Sequence, residues 1–530
     1  MCLELLDMNV SFNFVQQNIN RLGKVSKSLF CVVLGAASAL ALPPFDAWWI
    51  FGFTVPAFLF LIDGQPLGRS FQFGWLFGFG YFLVALHWIG YAFFVNAAAD
   101  LWMMPFAVGG LSAAMALYWA AAAGCASTLC KRGWPIYFAM PIYFAMPICL
   151  AIAEWLRGRL FTGFPWAVPG QAVDGMGGVA QAASIIGMNG LTFILLLCAA
   201  APFALFKGAY KTAFCMLAIL PLMWLWGEWR LHHNPTQFVD GVQLRIVQPN
   251  LSQDDKWRNG NARLIFDELL ALSALPSQNN RPITHIIWPE SIVPFLIDES
   301  PQGLSEIAAM LGSNRYLLAG AVRRAAPAND AAYYTSILAI NGNGQVIGHY
   351  DKSHLVPGGE FLPFAWLLEP LGFRQVVDMP ESFSSGTGTE SLAIPGAGLV
   401  GAQICYEAIF PEQTSLLTHR PDWLVNVTND GWFGKSTGPW QHLAQLRLRA
   451  IEQGLAVARA ANTGISAVID PYGRYIFQSE IGVKGQFESS LPRSIDATLY
   501  AHIGDYSFMF LLFCAIVFNL VLAKRHKLSS

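Results

Sequence analysis

Charged side chains are scarce in the first half of this 530-residue chain. Residues 28–227 contain only twelve Asp, Glu, Lys or Arg residues, whereas the rest of the chain contains fifty-four of the sixty-six. This uneven distribution excludes a single soluble domain with a uniformly hydrated surface. The net charge of −2 lacks the basic excess that is typical of nucleic-acid-binding proteins, so no nucleic-acid partner is expected.

Cysteine is nearly missing from the polar part of the chain. Of nine cysteines, Cys405 alone lies within residues 228–505, and the others lie mostly in or beside apolar segments, where they act as small apolar side chains. This excludes a disulfide framework inside the polar region. A thiol without a cysteine partner in its own region is a candidate nucleophile.

The apolar part contains segments long enough to cross a bilayer, which takes about 20 mostly apolar residues. Seven such segments precede the polar region and one follows it, so both chain ends are expected on one side. The predicted spans are residues 28–43, 46–62, 70–93, 104–126, 136–154, 183–205, 212–226 and 506–523.

Lysine and arginine indicate how these spans are oriented. Eleven of them fall on the side that holds both chain ends, whereas the short loops on the other side hold Arg157 and Arg159. Because positive residues accumulate on the cytoplasmic face of a membrane, the polar region is expected outside the cytoplasm. A large soluble protein with long buried helices is the alternative, and this asymmetry disfavours it.

We therefore expect five regions. No short apolar segment with a small-residue exit precedes the first span, so no cleavable signal peptide is expected. The regions are a cytoplasmic N-terminal segment (1–27), transmembrane helices one to seven (28–227), an extracytoplasmic domain (228–505), transmembrane helix eight (506–523) and a cytoplasmic tail (524–530).

Short β-like runs alternate with amphipathic helices from about residue 242, which favours a layered α/β domain. The predicted strands are Val242–Gln248, Ile283–Trp288, Tyr316–Val322, Ser336–Ile340, Leu399–Ile404, Trp423–Val427 and Ile465–Ile469. The predicted helices are 261–274, 303–311, 408–417 and 439–460, and long loops are expected at 357–363 and 384–396.

Three segments carry reactive side chains at strand ends. An apolar strand runs into Glu290, Lys352 lies within the polar segment 350–361, and Cys405 lies at a tight turn between the end of another strand and a short helix. Residues just beyond strand ends gather at one edge of an open sheet. A helix N-terminus favours thiolate over thiol, so we expect the turn to activate Cys405.

These three residue types supply the parts of nucleophilic catalysis. Glu290 can act as a general base if an apolar environment raises its pKa. Lys352 can stabilise a tetrahedral oxyanion, together with the backbone N–H that follows Cys405. Each residue also has an ordinary explanation: a solvated carboxylate, a surface cation and a small buried side chain.

The motifs WPES, YDK-x-HLVP-x-GE and GxxICYE occur in this order at positions 288, 350 and 401. They resemble the carbon–nitrogen hydrolase (nitrilase) superfamily with its Glu-Lys-Cys triad. With membrane helices on both sides of the domain, the chain past residue 28 resembles the bacterial apolipoprotein N-acyltransferases. This resemblance implies a membrane α-helical bundle of about eight spans plus an extracytoplasmic α/β nitrilase-like α-β-β-α sandwich.

The resemblance also implies roles for individual residues. Glu290 is expected as general base, Lys352 as oxyanion stabiliser and Cys405 as the acyl-bearing nucleophile. Glu360 matches a second glutamate that orients Lys352 or the amine. The remaining matches are Tyr406 and Glu407 beside the nucleophile and Trp257 as a substrate-binding aromatic.

The reaction implied is acyl transfer from a phospholipid to the N-terminal amine of a diacylglyceryl apolipoprotein, through a thioester on Cys405. A membrane is needed because withdrawing a chain of roughly sixteen carbons into water costs about 12 kcal/mol. The apolar loop 361–368 is expected to dip into the membrane interface as a lid. The resemblance implies no metal or organic cofactor, and a multi-pass protein of the bacterial inner membrane with a periplasmic catalytic domain. A monomer is expected because the spans would restrict the pairing of nitrilase-like domains.

The sequence leaves other functions open. A membrane-tethered nitrilase-type amidase would hydrolyse a small amide, and a lipid transporter or binding protein would carry an inert domain. His354 beside Cys405 could indicate a Cys-His protease, and His349 with His354 could indicate a metal site without a matching third ligand. Asn429-Asp430-Gly431 is most simply a turn.

Overall fold

The computed structural model describes residue 21 and residues 23–130, 140–252, 256, 260–325, 332–372, 383–388 and 390–528. Within them the chain forms two units. Unit 1 comprises residues 1–87, 104–233 and 502–530, and unit 2 comprises residues 88–103 and 234–501.

Unit 1 is helical. Its helices are α1 (Lys24–Ser38), α2 (Phe51–Ile62), α3 (Leu67–Ala85), α4 (Met104–Leu129), α5 (Ile142–Arg157), α6 (Ala183–Ala199), α7 (Ala201–Phe206), α8 (Tyr210–His233) and, near the C-terminal end, α14 (Tyr506–Leu528). A 3₁₀ stretch, Pro169–Ala182, precedes α6.

Several of these helices are long and apolar enough to cross a membrane. Within the described residues, four helical segments meet that condition by length and composition. They are Lys24–Ala41, Ala97–Leu129, Pro169–Phe206 and Tyr210–His233. The pair Leu67–Ala85 and His87–Phe94, bent by 47°, would make a fifth, and Trp48–Ile62 and Tyr506–Val521 are shorter apolar helices. The figure of eight spans stays a prediction.

Charged residues inside unit 1 are buried with partners. Glu154 forms an ion pair with Arg157 one turn later on α5, and the indole Nε1 of Trp119 donates to Glu154 Oε1 at 2.7 Å. The guanidinium of Arg157 also lies 4.9 Å from the centre of the Phe82 ring. Because an isolated charge among apolar helices is costly, pairing explains how this part of the sequence holds them. Arg157, which we assigned to a loop, is thus a buried residue at the end of a helix.

Unit 2 is built on two six-stranded sheets. The strands are β1 (Phe238–Gln248), β2 (His285–Trp288), β3 (Tyr316–Ala325), β4 (Ala332–Ile340), β5 (Val346–Asp351), β6 (Ser391–Ile394), β7 (Gly398–Ile404), β8 (Trp423–Thr428), β9 (Ala456–Ala461), β10 (Ala467–Ile469), β11 (Tyr475–Gln478) and β12 (Gly485–Pro492). The first sheet has the order β12-β1-β2-β3-β4-β5, and the second has the order β11-β10-β9-β8-β7-β6. β1, β2 and β3 run parallel, as do β7, β8 and β9.

The two sheets pack face to face over a shared apolar core, and helices cover their outer faces. Leu244, Ile287, Val400 and Val425 belong to the core between the sheets. The outer layers are formed by α9 (Asn261–Ala274) and α10 (Pro301–Leu311) on the first sheet and by α12 (Gly438–Gln453) on the second. Two short helices, α11 (Ala365–Leu368) and α13 (Leu499–Ile503), lie outside these layers. The predicted α-β-β-α sandwich is therefore present.

Residues 88–103 lie between two apolar helices in sequence but pack with the sandwich. The Trp88 ring meets the Phe433 ring edge to face, with centres 4.3 Å apart. Gly434 and Gly438 approach the rings of Tyr91 and Trp88 so closely that a Cβ on either would lie within about 3 Å of ring carbons. The predicted span 70–93 extends past Ala85, where α3 ends, because apolar composition does not distinguish a membrane helix from packed aromatic residues.

Two predicted helices differ from the structure. Residues 408–417 form parts of two 3₁₀ segments, Cys405–Ile409 and Pro411–Leu416, because Pro411 interrupts the run. The predicted helix 439–460 ends at Gln453, and β9 follows Gly454, which has a φ of 66°. The predicted loop 384–396 contains the short strand β6.

Candidate active site

Cys405 lies at the sharp end of β7. The strand stops at Ile404, and Cys405 begins a five-residue 3₁₀ segment with a φ of 49°. Left-handed backbone at a residue with a side chain is strained and needs support from its surroundings. The predicted strand and turn are therefore confirmed, and the thiol is 8% exposed.

Glu290 follows β2 on the opposite sheet. Its Oε2 atom accepts a hydrogen bond from the backbone N–H of Asn429 at 2.9 Å, just beyond the end of β8. Its Oε1 atom lies 3.5 Å from Nζ of Lys352. The next residue, Ser291, has a φ of 43°, so this strand also ends in a sharp turn.

Lys352 follows β5 and is 1% exposed. β4 is antiparallel to both β3 and β5, so the end of β5 reaches the same edge of the sheet as the end of β2. Nζ of Lys352 donates to Glu360 Oε1 at 2.9 Å, and Glu360 Oε2 accepts from the backbone N–H of Val356 at 2.8 Å. Glu360 therefore fixes the ammonium in place.

Cys405 belongs to the same cluster. The Glu290 carboxylate lies within hydrogen-bonding reach of the Cys405 thiol, and the charge of Lys352 acts on that thiol. One acid, one ammonium and one thiol are thus buried together at the ends of β2, β5 and β7. Such a group can remove a proton from sulfur and stabilise negative charge on an oxygen beside it.

Burial dominates the electrostatics of this cluster. It raises the pKa of the Cys405 thiol, the Glu290 carboxylate raises it further, and Lys352 opposes both. This differs from the expected activation by a helix N-terminus, because the segment after Cys405 is one short 3₁₀ turn and the thiol is enclosed. Burial also raises the pKa of Glu290, with Lys352 opposing. Burial alone would lower the pKa of Lys352, but Glu360 and Glu290 raise it above its usual value.

Glu407 joins the two loops that carry Cys405 and Lys352. Its Oε2 atom accepts from the backbone N–H of Ile404 at 2.7 Å. Its Oε1 atom accepts from the backbone N–H of Ser353 at 2.7 Å and from the hydroxyl of Tyr350 at 2.9 Å. This fully buried carboxylate therefore ties the nucleophile turn to the residue after Lys352.

The sequence also named Tyr406 and Trp257. Tyr406 is buried and packs edge to face on Phe410, with ring centres 5.1 Å apart. Trp257 lies outside the described residues. Its neighbour Lys256 is 3% exposed, and burial lowers the pKa of its amine to about 8 while Glu290 opposes that effect. No role was predicted for Lys256 from the sequence.

The alternative histidine sites receive no support. The His354 ring stacks on the Phe410 ring, with centres 3.8 Å apart. The His349 ring lies 3.8 Å from the Asp351 carboxylate on β5. Within the described residues, no group of three or more His, Cys, Asp or Glu side chains could hold a metal ion.

A buried polar cluster behind Cys405 was missed by the sequence analysis. Asp430, which we assigned to a simple turn, pairs with His442 and Arg459, and all three are at most 1% exposed. Nε2 of His442 lies 3.0 Å from the carbonyl oxygen of Cys405. A sequence signal was present for Arg459, which stands within the otherwise apolar run 455–461, but its partners Asp430 and His442 lie far from it in the chain.

The loop predicted to meet the membrane exposes large apolar side chains. Phe364, Trp366 and Leu367 are 57%, 75% and 50% exposed. Trp102, from the other segment of unit 2, lies 3.8 Å from the position that a Cβ on Gly372 would take, and its own side chain is 49% exposed.

Comparisons with known proteins agree with the sequence motifs. Residues 243–488 match the carbon-nitrogen hydrolase family, and residues 34–201 match the apolipoprotein N-acyltransferase N-terminal domain. The chain is 40% identical over 518 residues to an apolipoprotein N-acyltransferase of Rhodopseudomonas palustris, which covers 94% of this chain and 95% of that protein. It is 41% identical over 523 residues to one of Bradyrhizobium diazoefficiens, with 94% and 96% covered. Among solved structures, Nit3 of Saccharomyces cerevisiae, a nitrilase-superfamily member, is 16% identical with a TM-score of 0.37, covering 47% of this chain and 90% of that chain.

Proposed function

This chain belongs to the apolipoprotein N-acyltransferase family, and we propose that it transfers an acyl chain from a phospholipid to the N-terminal amine of a diacylglyceryl-cysteine apolipoprotein. The resemblance predicted from the motifs is confirmed by relatives that are 40% and 41% identical over 94% of the chain. The protein is accordingly an acyltransferase with a carbon-nitrogen hydrolase domain.

In the first half of the reaction, Cys405 takes the acyl group. Its sulfur attacks the ester carbonyl of the phospholipid while Glu290 accepts the thiol proton. Lys352 and the backbone N–H of Tyr406 stabilise the oxyanion. The carbon–oxygen ester bond then breaks, the proton passes from Glu290 to the leaving alkoxide, and a lysophospholipid departs. An acyl thioester remains on Cys405.

In the second half, the amine of the apolipoprotein attacks the thioester. Glu290 accepts a proton from the nitrogen, the carbon–sulfur bond breaks, and the Cys405 thiol is restored by that proton. An amine succeeds only if water is kept from the thioester. The burial of Glu290, Lys352 and Cys405, each at most 8% exposed, supports this requirement.

One observation carries the proposal. The Nζ atom of Lys352 lies between two carboxylates, 3.5 Å from Glu290 and 2.9 Å from Glu360, beside a thiol that Glu290 can reach. The two acids hold the ammonium charged, so it is a permanent cation at the position where an oxyanion forms. The acid nearer the thiol remains available as the base.

The placement in the membrane is also part of the proposal. We place the protein in the inner membrane with eight spans, with residues 228–505 on the periplasmic side and with the five regions predicted from the sequence. The charge asymmetry and the apolar helices of unit 1 support this placement. The loop 361–368 serves as an interfacial lid because its exposed aromatic residues favour the headgroup region. A monomer is sufficient, since the cluster of Glu290, Lys352 and Cys405 is complete in one chain.

The experiment measures the covalent intermediate. Purified full-length protein is incubated with mixed micelles of dipalmitoyl phosphatidylethanolamine and dipalmitoyl phosphatidylglycerol, and its peptides are examined by mass spectrometry. We expect a palmitoyl adduct on Cys405 that is absent in Cys405→Ala and strongly reduced in Glu290→Gln and Lys352→Ala. Cys215→Ala, at an exposed cysteine, is the matched control and should keep the adduct.

Other results would favour other functions. Rapid release of free fatty acid without any amine acceptor would favour a hydrolase. An unmodified Cys405 with no turnover of lipid or amide would favour a binding protein with an inert domain. Either of these two results would contradict the proposed acyl transfer.

A further inference from the structure

A second polar cluster lies directly behind the nucleophile. Nδ1 of His442 is 3.0 Å from Asp430 Oδ1, and Nη2 of Arg459 is 2.6 Å from Asp430 Oδ2. The other ring nitrogen of His442, Nε2, faces the carbonyl oxygen of Cys405 at 3.0 Å. All of these side chains are enclosed by the second sheet and α12, and none of them has a role in the two half-reactions.

Arg459 fixes this cluster to the sheet. It stands opposite Asn426 in the β8–β9 pairing, and its Nη1 atom donates to Asn426 Oδ1 at 2.7 Å. Its Nε atom donates to the carbonyl oxygen of Ile465 at 3.0 Å. The Nε, Nη1 and Nη2 atoms of the Arg459 guanidinium therefore all have partners. Arg459 holds Asp430, and the pair fixes the plane of the His442 ring.

The proton on His442 Nε2 follows from its partner. A carbonyl oxygen only accepts hydrogen bonds, so Nε2 must carry the hydrogen. Nδ1 faces both Asp430, to which it would donate, and Arg459 Nη2 at 3.2 Å, from which it would accept. The ring can therefore be charged or neutral, but Nε2 donates to Cys405 in either state.

This hydrogen bond determines where the next backbone N–H points. The peptide between Cys405 and Tyr406 is planar and trans, so its N–H points away from its carbonyl oxygen. A donor on that oxygen also polarises the peptide and strengthens its N–H as a donor. Cys405 has a φ of 49°, so the residue before this peptide has a strained backbone conformation that its surroundings must support.

We infer that His442 is a positioning residue for the oxyanion site: through the Cys405 carbonyl it orients and polarises the Tyr406 N–H toward the oxygen of the reacting acyl group. The inference rests on the proposed acyl transfer to Cys405. In this arrangement the buried side chains of Asp430 and Arg459 hold the His442 ring in place.

The test compares two amides of different reach. In His442→Gln the side-chain nitrogen can occupy the place of Nε2 and reach the Cys405 carbonyl, whereas in His442→Asn it ends near the place of Nδ1 and cannot. For each full-length variant we measure the rate of palmitoyl-adduct formation on Cys405 from the same mixed micelles. We also measure alkylation of Cys405 by iodoacetamide, which displaces iodide and forms no oxyanion. His419→Asn, at an exposed histidine, is the control.

We expect His442→Asn to form the adduct about 100-fold more slowly than the parent protein, the loss typical of one oxyanion donor. His442→Gln should remain within about tenfold, and all alkylation rates within about threefold. Equal adduct rates in the Gln and Asn variants, or adduct and alkylation rates that fall together, would overturn the inference while leaving acyl transfer intact. If the parent protein forms no adduct although its Cys405 is alkylated, the proposed function fails first, and the inference with it.

Discussion

Cys405, the proposed nucleophile, is buried in this structure. Burial and the neighbouring Glu290 raise the pKa of the thiol, and Lys352 only partly offsets them. In the proposed reaction, the thiol loses its proton to Glu290 in the same step in which sulfur attacks an acyl carbon. Reactivity is then confined to the moment when an ester is bound, which suits a cysteine that must resist oxidation.

The pH dependence of this step can be shifted through Lys256. Burial lowers the pKa of its amine to about 8, so it is mostly protonated at neutral pH, and its charge lowers the pKa of Glu290. Glu290 is a base only when it is ionised, so adduct formation is lost as the pH falls through the Glu290 pKa. Lys256→Met removes this cation, so the Glu290 pKa rises further. The acidic limb of the pH profile, where the rate of adduct formation falls with falling pH, should therefore move up by about 0.5–1 pH unit.

Single-turnover adduct rates measured from pH 4 to 9 would show the shift. Lys484→Met removes a cation whose side chain is 55% exposed and should leave the limb in place. An unchanged limb in Lys256→Met, or a shift to lower pH, would contradict this account.

At the scale of single residues, the sequence indicated the candidate residues whose side chains are themselves reactive. Glu290 and Cys405 were predicted because they stand at the ends of predicted strands, and Lys352 because it lies in the motif YDK-x-HLVP-x-GE. The backbone N–H of Asn429, which holds Glu290, carries no such signal because every residue except proline has one. The link from His442 to the Cys405 carbonyl spans thirty-seven positions and exists only once the sheet and α12 are packed.

At the scale of elements, strand ends determine where the site lies, and the turns after them hold it together. Seven predicted strands correspond to strands in the structure, since their apolar runs are continuous and bounded by polar residues. β9 was missed because its sequence, Ala456–Ala461, is rich in alanine and continues the helical pattern of α12. The left-handed Gly454 and Leu455 separate the two elements, and a single glycine within a helical pattern is a weak stop signal.

Gly454 therefore offers a test at this scale. Its φ is 66°, and a Cβ would lie 2.9 Å from Cγ1 of Ile495. We expect Gly454→Ala to lower the free energy of unfolding by about 1–2 kcal/mol, because an L-residue in the left-handed region is strained even without the clash. Adduct formation per folded molecule should be nearly unchanged.

The control is Gly485→Ala, whose added Cβ would make ordinary contact at 3.4 Å and should change stability by less than about 0.5 kcal/mol. Denaturation of both purified variants in the same detergent measures the difference. Equal stability of the two would show that the turn after α12 tolerates a side chain.

The exposed loop near α11 gives a second test of an element. Trp366 is 75% exposed, so replacing it removes little internal packing. If the loop meets the membrane interface, Trp366→Ser should raise the KM for dipalmitoyl phospholipid in vesicles about tenfold while leaving kcat within about twofold. With a short-chain ester dissolved in water, the variant and the parent protein should react equally.

Leu264→Ser, at an apolar residue of α9 that is 66% exposed, controls for the loss of exposed apolar surface in general. If Trp366→Ser lowers kcat equally for the vesicle and the soluble substrate, the loop is a packed segment rather than an interfacial lid.

At the scale of the whole molecule, the two units differ in what they bury and what they expose. Unit 1 buries the ion pair of Glu154 and Arg157 and exposes apolar side chains such as Phe214 and Leu222. Unit 2 instead buries its two sheets against each other and beneath the helices that cover their outer faces. A membrane helps an acyltransferase because the lipid tail need not leave an apolar medium during transfer.

The orientation of the chain can be decided with introduced thiols. We expect a cysteine at exposed His419, in residues 228–505, to react in intact cells with a maleimide that crosses the outer but not the inner membrane. A cysteine at Lys207, among the positive residues assigned to the cytoplasmic side, should react only after the inner membrane is permeabilised, because Lys and Arg are retained on that face. Both variants are made in a Cys125→Ala, Cys215→Ala, Cys514→Ala background, which removes the exposed native thiols of the described residues. The reverse pattern would place Cys405 in the cytoplasm and contradict the periplasmic site, whereas reaction of both sites without permeabilisation would contradict the predicted number of spans between them.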